Sequence, residues 1–354
     1  MNSMPRTVLV LGAGFTHAFA PKAPLLIGDF GGNALARKFR KFPRASRVLN
    51  AEMGGRTGSK VDIERLMTRL DGRMPYDRKH EAESELAHLL AELKKSFVKR
   101  IRDAGGGTAH SDDLSKLAEC CVDYGINCVT FNYDDIFDQA LWRMRGGPYW
   151  HPDGGYGFFC RASYMVVENA PLRMDKTSML LLKLHGSVNW RTKLGTPQPY
   201  GLDDILHHES WMDFSPLPKA LLPLIDQHLS PEPFMVPPVL VKSGLVEEPV
   251  LQIVWSLAYE ALAKAERVIF IGYSFPVTDM AARFLFTETL LRDTDPPDIR
   301  VVNLKTTEAE RETVRRSYRE VFPMIAESRF DFRGARVWSQ EFVAGYAASK
   351  PESG

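Results

Sequence analysis

Five short groups of glycine and polar residues, each directly after an apolar run, are the parts of this sequence that could do chemistry. The first group is Gly12-Ala13-Gly14-Phe15-Thr16. Two close glycines let a backbone approach a pyrophosphate, and the helix start that follows favours an anion. His17 stands where the full dinucleotide fingerprint has its third glycine, so a plain structural turn remains an alternative. The sequence lacks the G-x-x-x-x-G-K-[ST] pattern that would indicate a nucleotide triphosphatase.

The other four groups carry amide, carboxylate, imidazole and hydroxyl side chains. In residues 130–135 (TFNYDD), one side chain could cap a helix while Asn132 faces a cleft. In residues 183–187 (KLHGS), His185 is either a structural histidine or a functional one at the end of a strand. Residues 272–276 (GYSFP), with Asp279, follow the fourth run. Asn303 is either a turn residue or a hydrogen-bonding partner for a ribose hydroxyl.

Short runs that are apolar on both faces predict buried parallel strands, which would bring these groups to one edge of a sheet. Ligands of such sheets bind at the carboxyl ends of the strands. The predicted strands are Thr7–Leu11, Asn127–Phe131, Met179–Leu184 and Arg267–Ile271, with Val236–Val241 and Ile299–Leu304 as further candidates.

Apolar residues at helical spacing predict a mostly helical stretch between the first and second strands. The predicted helices are Val61–Leu70, Glu81–Ile101, Asp112–Tyr124, Ile136–Arg143 and Gln252–Ala265. We therefore expect an α/β fold with a Rossmann-like parallel sheet, helices on both faces and a mostly helical insertion. Its main domain would comprise residues 1–32 and 119–345, with the helical insertion at 33–118 and a flexible tail at 346–354.

Two further insertions, at 145–175 and 191–235, are rich in proline, glycine or aromatic residues and look irregular. Loops of this kind can act as lids over a site. Their aromatic residues could contact a lid or another subunit, or could simply pack locally. These residues are Tyr149, Trp150, Tyr156, Phe158, Phe159 and Trp211.

The bulk composition excludes several classes of protein. A net charge of +1 over 354 residues argues against a chain built to coat nucleic acid. No run of 18 or more apolar residues exists, so no membrane span is expected. The four cysteines form no C-x-x-C pair, which predicts free thiols, no metal site and a cytoplasmic location.

The order of the five groups resembles the sirtuin superfamily, and within it the prokaryotic sirtuin-like branch found in anti-phage defence proteins. Sirtuins carry a GAG-x-S loop, a T-x-N-x-D segment, an H-G dipeptide, a G-[TY]-S turn and a late asparagine. The matching groups run from Gly12 to Asn303, so the resemblance covers most of the chain.

The resemblance implies an NAD⁺ site. Gly12, Ala13, Gly14, Phe15 and Thr16 would hold the phosphates and the nearby ribose. Asn132 and Asp134 would line the nicotinamide pocket, and His185 would lie beside the nicotinamide ribose. Gly272, Tyr273 and Ser274 would contact the phosphate and adenosine side, and Asn303 the adenosine ribose. In this scheme Asn132, His185 and Asp134 are the catalytic residues.

The sequence also departs from the protein-deacylating sirtuins. These usually carry a zinc module with two C-x-x-C pairs, which Cys120, Cys121, Cys128 and Cys160 cannot supply. We therefore expect an NAD⁺ hydrolase that releases nicotinamide and ADP-ribose. The alternatives are an NAD-dependent protein-lysine deacylase and a non-catalytic module that binds NAD⁺ or ADP-ribose. The resemblance further implies a defence effector that depletes NAD⁺, forms a homo-oligomer and works with a hexameric DNA translocase or ATPase.

Overall fold

The computed structural model describes residues 4–23, 25, 27–54, 60–71, 83–105, 111–142, 150–162, 177–207, 227–238, 247–276 and 279–348. The strands, numbered in chain order, are β1 Thr7–Leu11, β2 Ile27–Asp29, β3 Lys60–Asp62, β4 Asn127–Thr130, β5 Arg161–Ala162, β6 Leu181–Lys183, β7 Trp190–Arg191, β8 Leu206–His207, β9 Arg267–Ile271, β10 Asp298–Val302 and β11 Phe330–Asp331. The helices are α1 Ala13–Phe19, α2 Gly32–Lys38, α3 Pro43–Met53, α4 Ile63–Asp71, α5 Glu83–Gly105, α6 Asp112–Asp123, α7 Ile136–Trp142, α8 Pro152–Gly155, α9 Pro249–Ala263, α10 Met280–Leu290, α11 Glu308–Arg319 and α12 Ala335–Ala347.

A six-stranded parallel sheet forms the centre of the molecule, in the order β11-β10-β9-β1-β4-β6. All five residues of β1 are buried. Since alternate residues of a strand point to opposite faces, both faces of the sheet are covered. The predicted α/β class with a Rossmann-like parallel sheet is therefore confirmed.

The register of the sheet brings the ends of its strands into one row. Leu11 at the end of β1 pairs with Thr130 on one side and with Ile271 on the other. Thr130 pairs in turn with Lys183, and Ile271 pairs with Val302. All five groups of glycine and polar residues therefore follow the sheet at the same edge.

A second, smaller hydrophobic core lies beside the sheet and is built mainly from α2 to α5. Helix α5 contributes Leu89 and Leu93, which are fully buried. The predicted helix Val61–Leu70 is wrong at its start. Val61 pairs with Gly28 in an antiparallel β2–β3 ladder, and the helix begins only at Ile63.

The described parts of the two irregular insertions are folded against the main core. Residues of both join in a three-stranded sheet of order β5-β8-β7. Trp150, Tyr156 and Phe158 are buried in the main core, so local packing is correct for these three and a role as exposed subunit contacts is wrong. Their rings pack on each other and on Trp190. The predicted contacts at positions 149 and 211 lie outside the described residues.

The predicted strand Val236–Val241 does not form in its described part. Residues 236–238 are not strand, and residues 239–241 lie outside the described ranges. The two successive prolines there cannot donate the backbone hydrogen bonds that a ladder needs. Among the described helices, none is long and apolar enough to cross a bilayer.

Candidate active site

Two glycine turns interlock above the sheet. A Cβ atom on Gly12 would lie 2.6 Å from the Gly272 oxygen, and one on Gly272 would lie 2.1 Å from the Phe15 nitrogen. Gly272 also has a φ of +64°, which glycine adopts without strain. The N–H groups of Gly12 and Gly14 donate to the carbonyls of Ile271 and Gly272. A phosphate at this turn would therefore meet the Cα atoms rather than these two amide protons.

The side chain of Asn132 is fixed beneath the first glycine turn. Its Nδ2 donates to the Gly12 carbonyl at 2.8 Å and to the Thr16 hydroxyl at 2.9 Å. The Thr16 hydroxyl in turn donates to Asp134 Oδ2 at 2.6 Å. Because both amide protons of Asn132 are used, Oδ1 is its remaining hydrogen-bonding atom, and it is an acceptor.

Asp134 has two functions in the local structure. Its Oδ1 accepts the N–H of Ile136 at 3.2 Å, in the manner of a helix cap for α7, while Oδ2 holds Thr16. Burial raises the pKa of Asp134, and the nearby Lys183 and the Thr16 hydroxyl offset part of this rise. The expectation that one polar residue of this segment caps the helix while Asn132 faces the cleft agrees with these contacts.

A buried ion pair lies directly behind this segment. Lys183 Nζ is 3.0 Å from Asp138 Oδ2, and the two side chains are 0% and 2% exposed. The same ammonium donates to the main-chain oxygen of Asp134 at 2.6 Å. Tyr156 and Asn189 also donate to Asp138. The ion pair therefore ties β6 and α7 to the loop that carries Asn132.

His185 lies among aromatic rings at the end of β6. Its ring stacks on Tyr133 at 5.7 Å and meets the edge of Phe131 at 5.4 Å. The adjacent turn is held by Trp255, whose indole N–H donates to the Leu184 carbonyl at 2.8 Å. The His185 side chain is thus positioned by its neighbours on both sides of the sheet edge.

These groups surround one cavity of about 140 Å³. Its lining residues come from four of the five groups of glycine and polar residues and from the helical region. They include Gly12, Ala13, Thr16, Asn132, Asp134, His185, Gly272, Tyr273 and Ser274, all of which belong to the predicted site. The cavity is also lined by Glu64, Phe97, Phe131, Tyr133 and Asp279.

Burial and nearby carboxylates raise the pKa values of two tyrosine hydroxyls in this cavity. Burial raises the pKa of Tyr133 well above its ordinary value, and the charges of Asp279 and Glu64 raise it further. Burial, followed by the charge of Asp279, does the same for Tyr273. The Tyr273 ring stacks on Phe131 at 4.8 Å and is only 5% exposed.

Three predicted site residues lie differently from the rest. The side chain of Phe15 is buried in the main core against Phe19 and Phe137, so only its backbone faces the glycine turn. Asn303 and Gly14 do not line the cavity. Asn303 lies at the end of β10, where its Nδ2 is 3.5 Å from the Tyr273 carbonyl.

Sequence reasoning missed Glu64, Tyr133 and Lys183 as parts of the site. Tyr133 and Lys183 stand inside the TFNYDD and KLHGS groups, so their position at a strand end was the available signal. Glu64 carries no such signal, since it lies on α4 of the helical region and reaches the cavity only through packing.

A larger cavity of about 640 Å³ adjoins the first one. It lies along α5 and the segment 230–238, and both cavities are lined by Phe97 and Pro238. None of its described lining residues belongs to either glycine turn.

The four cysteines are all free and buried. Cys121 and Cys128 are close enough to interact, and this contact and burial raise the pKa of Cys121 well above its ordinary value. Within the described ranges, no group of three or more histidine, cysteine or acidic side chains could hold a metal ion.

The fold and the site define an α/β protein with a small aromatic and acidic cavity at the carboxyl edge of a parallel sheet. No family model matches the chain, and no curated protein matches it. Solved structures of Sir2 homologues are similar in overall fold. One, a triple mutant bound to 2′-O-acetyl ADP ribose, is 15% identical, with a TM-score of 0.48 over 99% of this chain and 96% of its own. A Sir2 homologue in complex with NAD is 16% identical, with a TM-score of 0.46 over 97% of this chain and 90% of its own.

A third structure, a mutant Sir2 homologue with ADP ribose, is 15% identical and gives a TM-score of 0.47, over 98% of this chain and 94% of its own. These identities and TM-scores are low. The roles of individual residues therefore rest on the contacts within this chain.

Proposed function

We propose that this protein binds NAD⁺ at the smaller cavity and hydrolyses its nicotinamide–ribose bond. The observation that carries the proposal is the hydrogen bonding of the Asn132 side chain. Its two amide protons are fixed by Gly12 and Thr16, which leaves Oδ1 as the acceptor of a side chain that lines the cavity together with His185. An acceptor held in this way can orient a water molecule for attack.

The reaction breaks the bond between C1′ of the ribose and the nicotinamide nitrogen, which keeps the electron pair. The ribose carbon becomes positively charged in the transition state, and a water oxygen forms the new bond to it. Asn132 orients this water, and Asp134 holds Thr16 and the loop in place. His185 binds the ribose hydroxyls and accepts the proton that the water loses. The products are nicotinamide and ADP-ribose.

The size of the cavity supports one part of the dinucleotide rather than the whole molecule. Pockets for complete small ligands are about 300–1,000 Å³, whereas this cavity is about 140 Å³. We place the nicotinamide end there, among Phe131, Tyr133 and His185. The rest of NAD⁺ would pass over the glycine turns towards Ser274, which is exposed.

The test is nicotinamide release from NAD⁺ by the purified protein, followed by chromatography. Asn132→Ala and His185→Ala should each reduce the rate by about 10²-fold or more, because each removes a positioned group. Asn50→Ala and His88→Ala are matched controls, since both residues are exposed on helices of the helical region. Near wild-type rates in both site variants would show that these residues are not catalytic. NAD⁺ binding without any release would favour the non-catalytic module instead.

A second candidate function is NAD-dependent removal of an acyl group from a protein lysine. The observation in its favour is the 640 Å³ cavity, which meets the smaller one at Phe97 and Pro238 and could admit a peptide side chain. In that reaction an acyl oxygen, rather than water, would attack the ribose carbon. Nicotinamide release that depends on an acyl-lysine peptide would favour this function over hydrolysis.

The biological part of the proposal is a cytoplasmic defence effector that depletes NAD⁺. Because such an activity would harm its own cell, we expect low activity in the free chain and activation by self-assembly or by a hexameric DNA translocase partner. Specific activity that stays constant at every protein concentration, and with the partner present, would contradict this regulation.

A further inference from the structure

The smaller cavity has an acidic lining. Among its described lining residues are three carboxylates, Glu64, Asp134 and Asp279, and neither lysine nor arginine. Among the described cations near this region, Lys183 and Arg283 both have acidic partners. Lys183 is bound to Asp138, and Arg283 is bound to Glu320 and to the Phe275 carbonyl. Towards α4 and α10, the described lining of the cavity thus contributes the carboxylates of Glu64 and Asp279.

The same cavity is lined with aromatic rings. Phe131 and Tyr273 are stacked, and Tyr133 connects His185 on one side to Phe97 on the other. Aromatic faces attract cations, and they do so more strongly where water is excluded. Acidic groups and aromatic faces together favour a flat ligand group that carries a positive charge.

The Tyr273 hydroxyl is a second, independent sign of a ligand. The residue is 95% buried, and its hydroxyl has no hydrogen-bond partner within the described part of the chain. A buried polar atom without a partner costs free energy, and a bound ligand with a polar substituent would remove that cost. The carboxamide of nicotinamide has such atoms.

We propose that Glu64 and Asp279 make this cavity selective for the positively charged nicotinamide ring of NAD⁺. This inference rests on the proposed function and adds two specificity-determining residues to it. Glu64 comes from α4 in the helical region, and Asp279 directly precedes α10. The helical region would thus take part in choosing the ligand. The reduced dinucleotide NADH, whose nicotinamide ring is neutral, would bind more weakly.

The experiment compares two small probes that share the ring and the carboxamide and differ in charge: the 1-methylnicotinamide cation and neutral nicotinamide. Their dissociation constants are measured by ligand-observed NMR on the full chain. The wild type should favour the cation by about tenfold or more, as expected for opposite charges a few ångströms apart. Glu64→Gln and Asp279→Asn should each lower this ratio by about threefold. Glu312→Gln, an exposed carboxylate on α11, should leave it unchanged.

The outcomes separate this inference from the proposed function. Equal binding of the two probes, or a ratio that neither Glu64→Gln nor Asp279→Asn changes, would overturn the inference even if NAD⁺ is cleaved. A preserved cation preference without cleavage would support the inference and contradict the hydrolase function. Should Asp279→Asn fail to fold, Glu64→Gln still decides, since Glu64 is half-buried on the surface of α4.

Discussion

Removing the charge of Lys183 should have a large effect on stability, because Lys183 and Asp138 are almost completely buried. Breaking a buried ion pair by removing one partner costs about 3–5 kcal/mol, since the other charge stays buried without compensation. Such a loss is a large part of a typical free energy of unfolding of about 5–15 kcal/mol. Lys183→Met and Asp138→Asn should therefore each lower the urea midpoint strongly.

The double variant Lys183→Met/Asp138→Asn should be far more stable than the sum of these losses implies. It leaves neither charge of this pair buried without its partner, and an amide oxygen at position 138 can still accept the Tyr156 hydroxyl. The main deficit is the lost donor to the Asp134 carbonyl, now held at 2.6 Å, which costs about 1–3 kcal/mol. The coupling between the two changes should accordingly amount to several kcal/mol.

Urea unfolding of the four proteins measures this coupling, and nicotinamide release measures its effect on the site. We expect the double variant to regain most of the stability but to keep a reduced kcat, because the loop carrying Asn132 has lost an anchor. Lys99→Met is the matched control. Its ion pair with Asp103 is shorter, at 2.6 Å, but exposed, so the midpoint should not change. If the free energy of unfolding lost in the double variant equals the sum of the losses in the two single variants, within about 0.5 kcal/mol, the reasoning is refuted.

Two further predictions concern the glycine turn and the buried carboxyl. Gly272→Ala should lower the free energy of unfolding by more than about 4 kcal/mol or prevent folding, since its Cβ would lie 2.1 Å from the Phe15 nitrogen at a φ of +64°. Gly345 lies inside α12, where an added Cβ meets nothing within 4 Å, so Gly345→Ala should instead raise the free energy of unfolding by about 0.5–1 kcal/mol. Similar urea midpoints for the Gly272→Ala and Gly345→Ala variants would contradict this prediction. Burial raises the pKa of Asp134 above its ordinary value near 3.8, so the folded protein binds this proton more tightly than the unfolded chain does. The free energy of unfolding therefore falls as the pH rises from the ordinary pKa through the raised pKa of the folded protein. Asp134→Asn should remove this loss and be more stable than the wild type at pH 7 while cleaving NAD⁺ more slowly; urea midpoints that fall equally with pH in both proteins would show that Asp134 is not the cause.

Much of the fold could be predicted from local sequence. The runs at Thr7–Leu11 and Arg267–Ile271 form strands with the predicted bounds. The runs at 127–131, 179–184 and 299–304 form strands whose ends lie within two residues of the predicted ends. These predictions succeed because a strand buried on both faces needs a continuous apolar run, and a glycine or polar residue ends it. The roles of Asn132, His185 and Asp134 in catalysis stay predictions.

The start of α4 and the burial of aromatic residues in the insertions could not be predicted in this way. Val61 fits a helical pattern, but pairing with Gly28 in the β2–β3 ladder overrides that pattern. Trp150 and Tyr156 stand in a segment that looks like a loop, yet both are buried in the main core. Pairing and burial of this kind depend on segments far apart in the chain.

The sequence by itself determined five of the six strands of the central sheet, the order of the motifs after them and the small residues needed where Gly12 meets Gly272. Only the tertiary structure decided which side chains share a cavity and which charges are paired. Glu64 reaches the site because α4 of the helical region brings it to the cavity, and Lys183 meets Asp138 because β6 lies beside the strand that leads into α7. Local patterns encode backbone conformation, which involves near neighbours, whereas charge pairing and cavity shape depend on distances between residues dozens of positions apart.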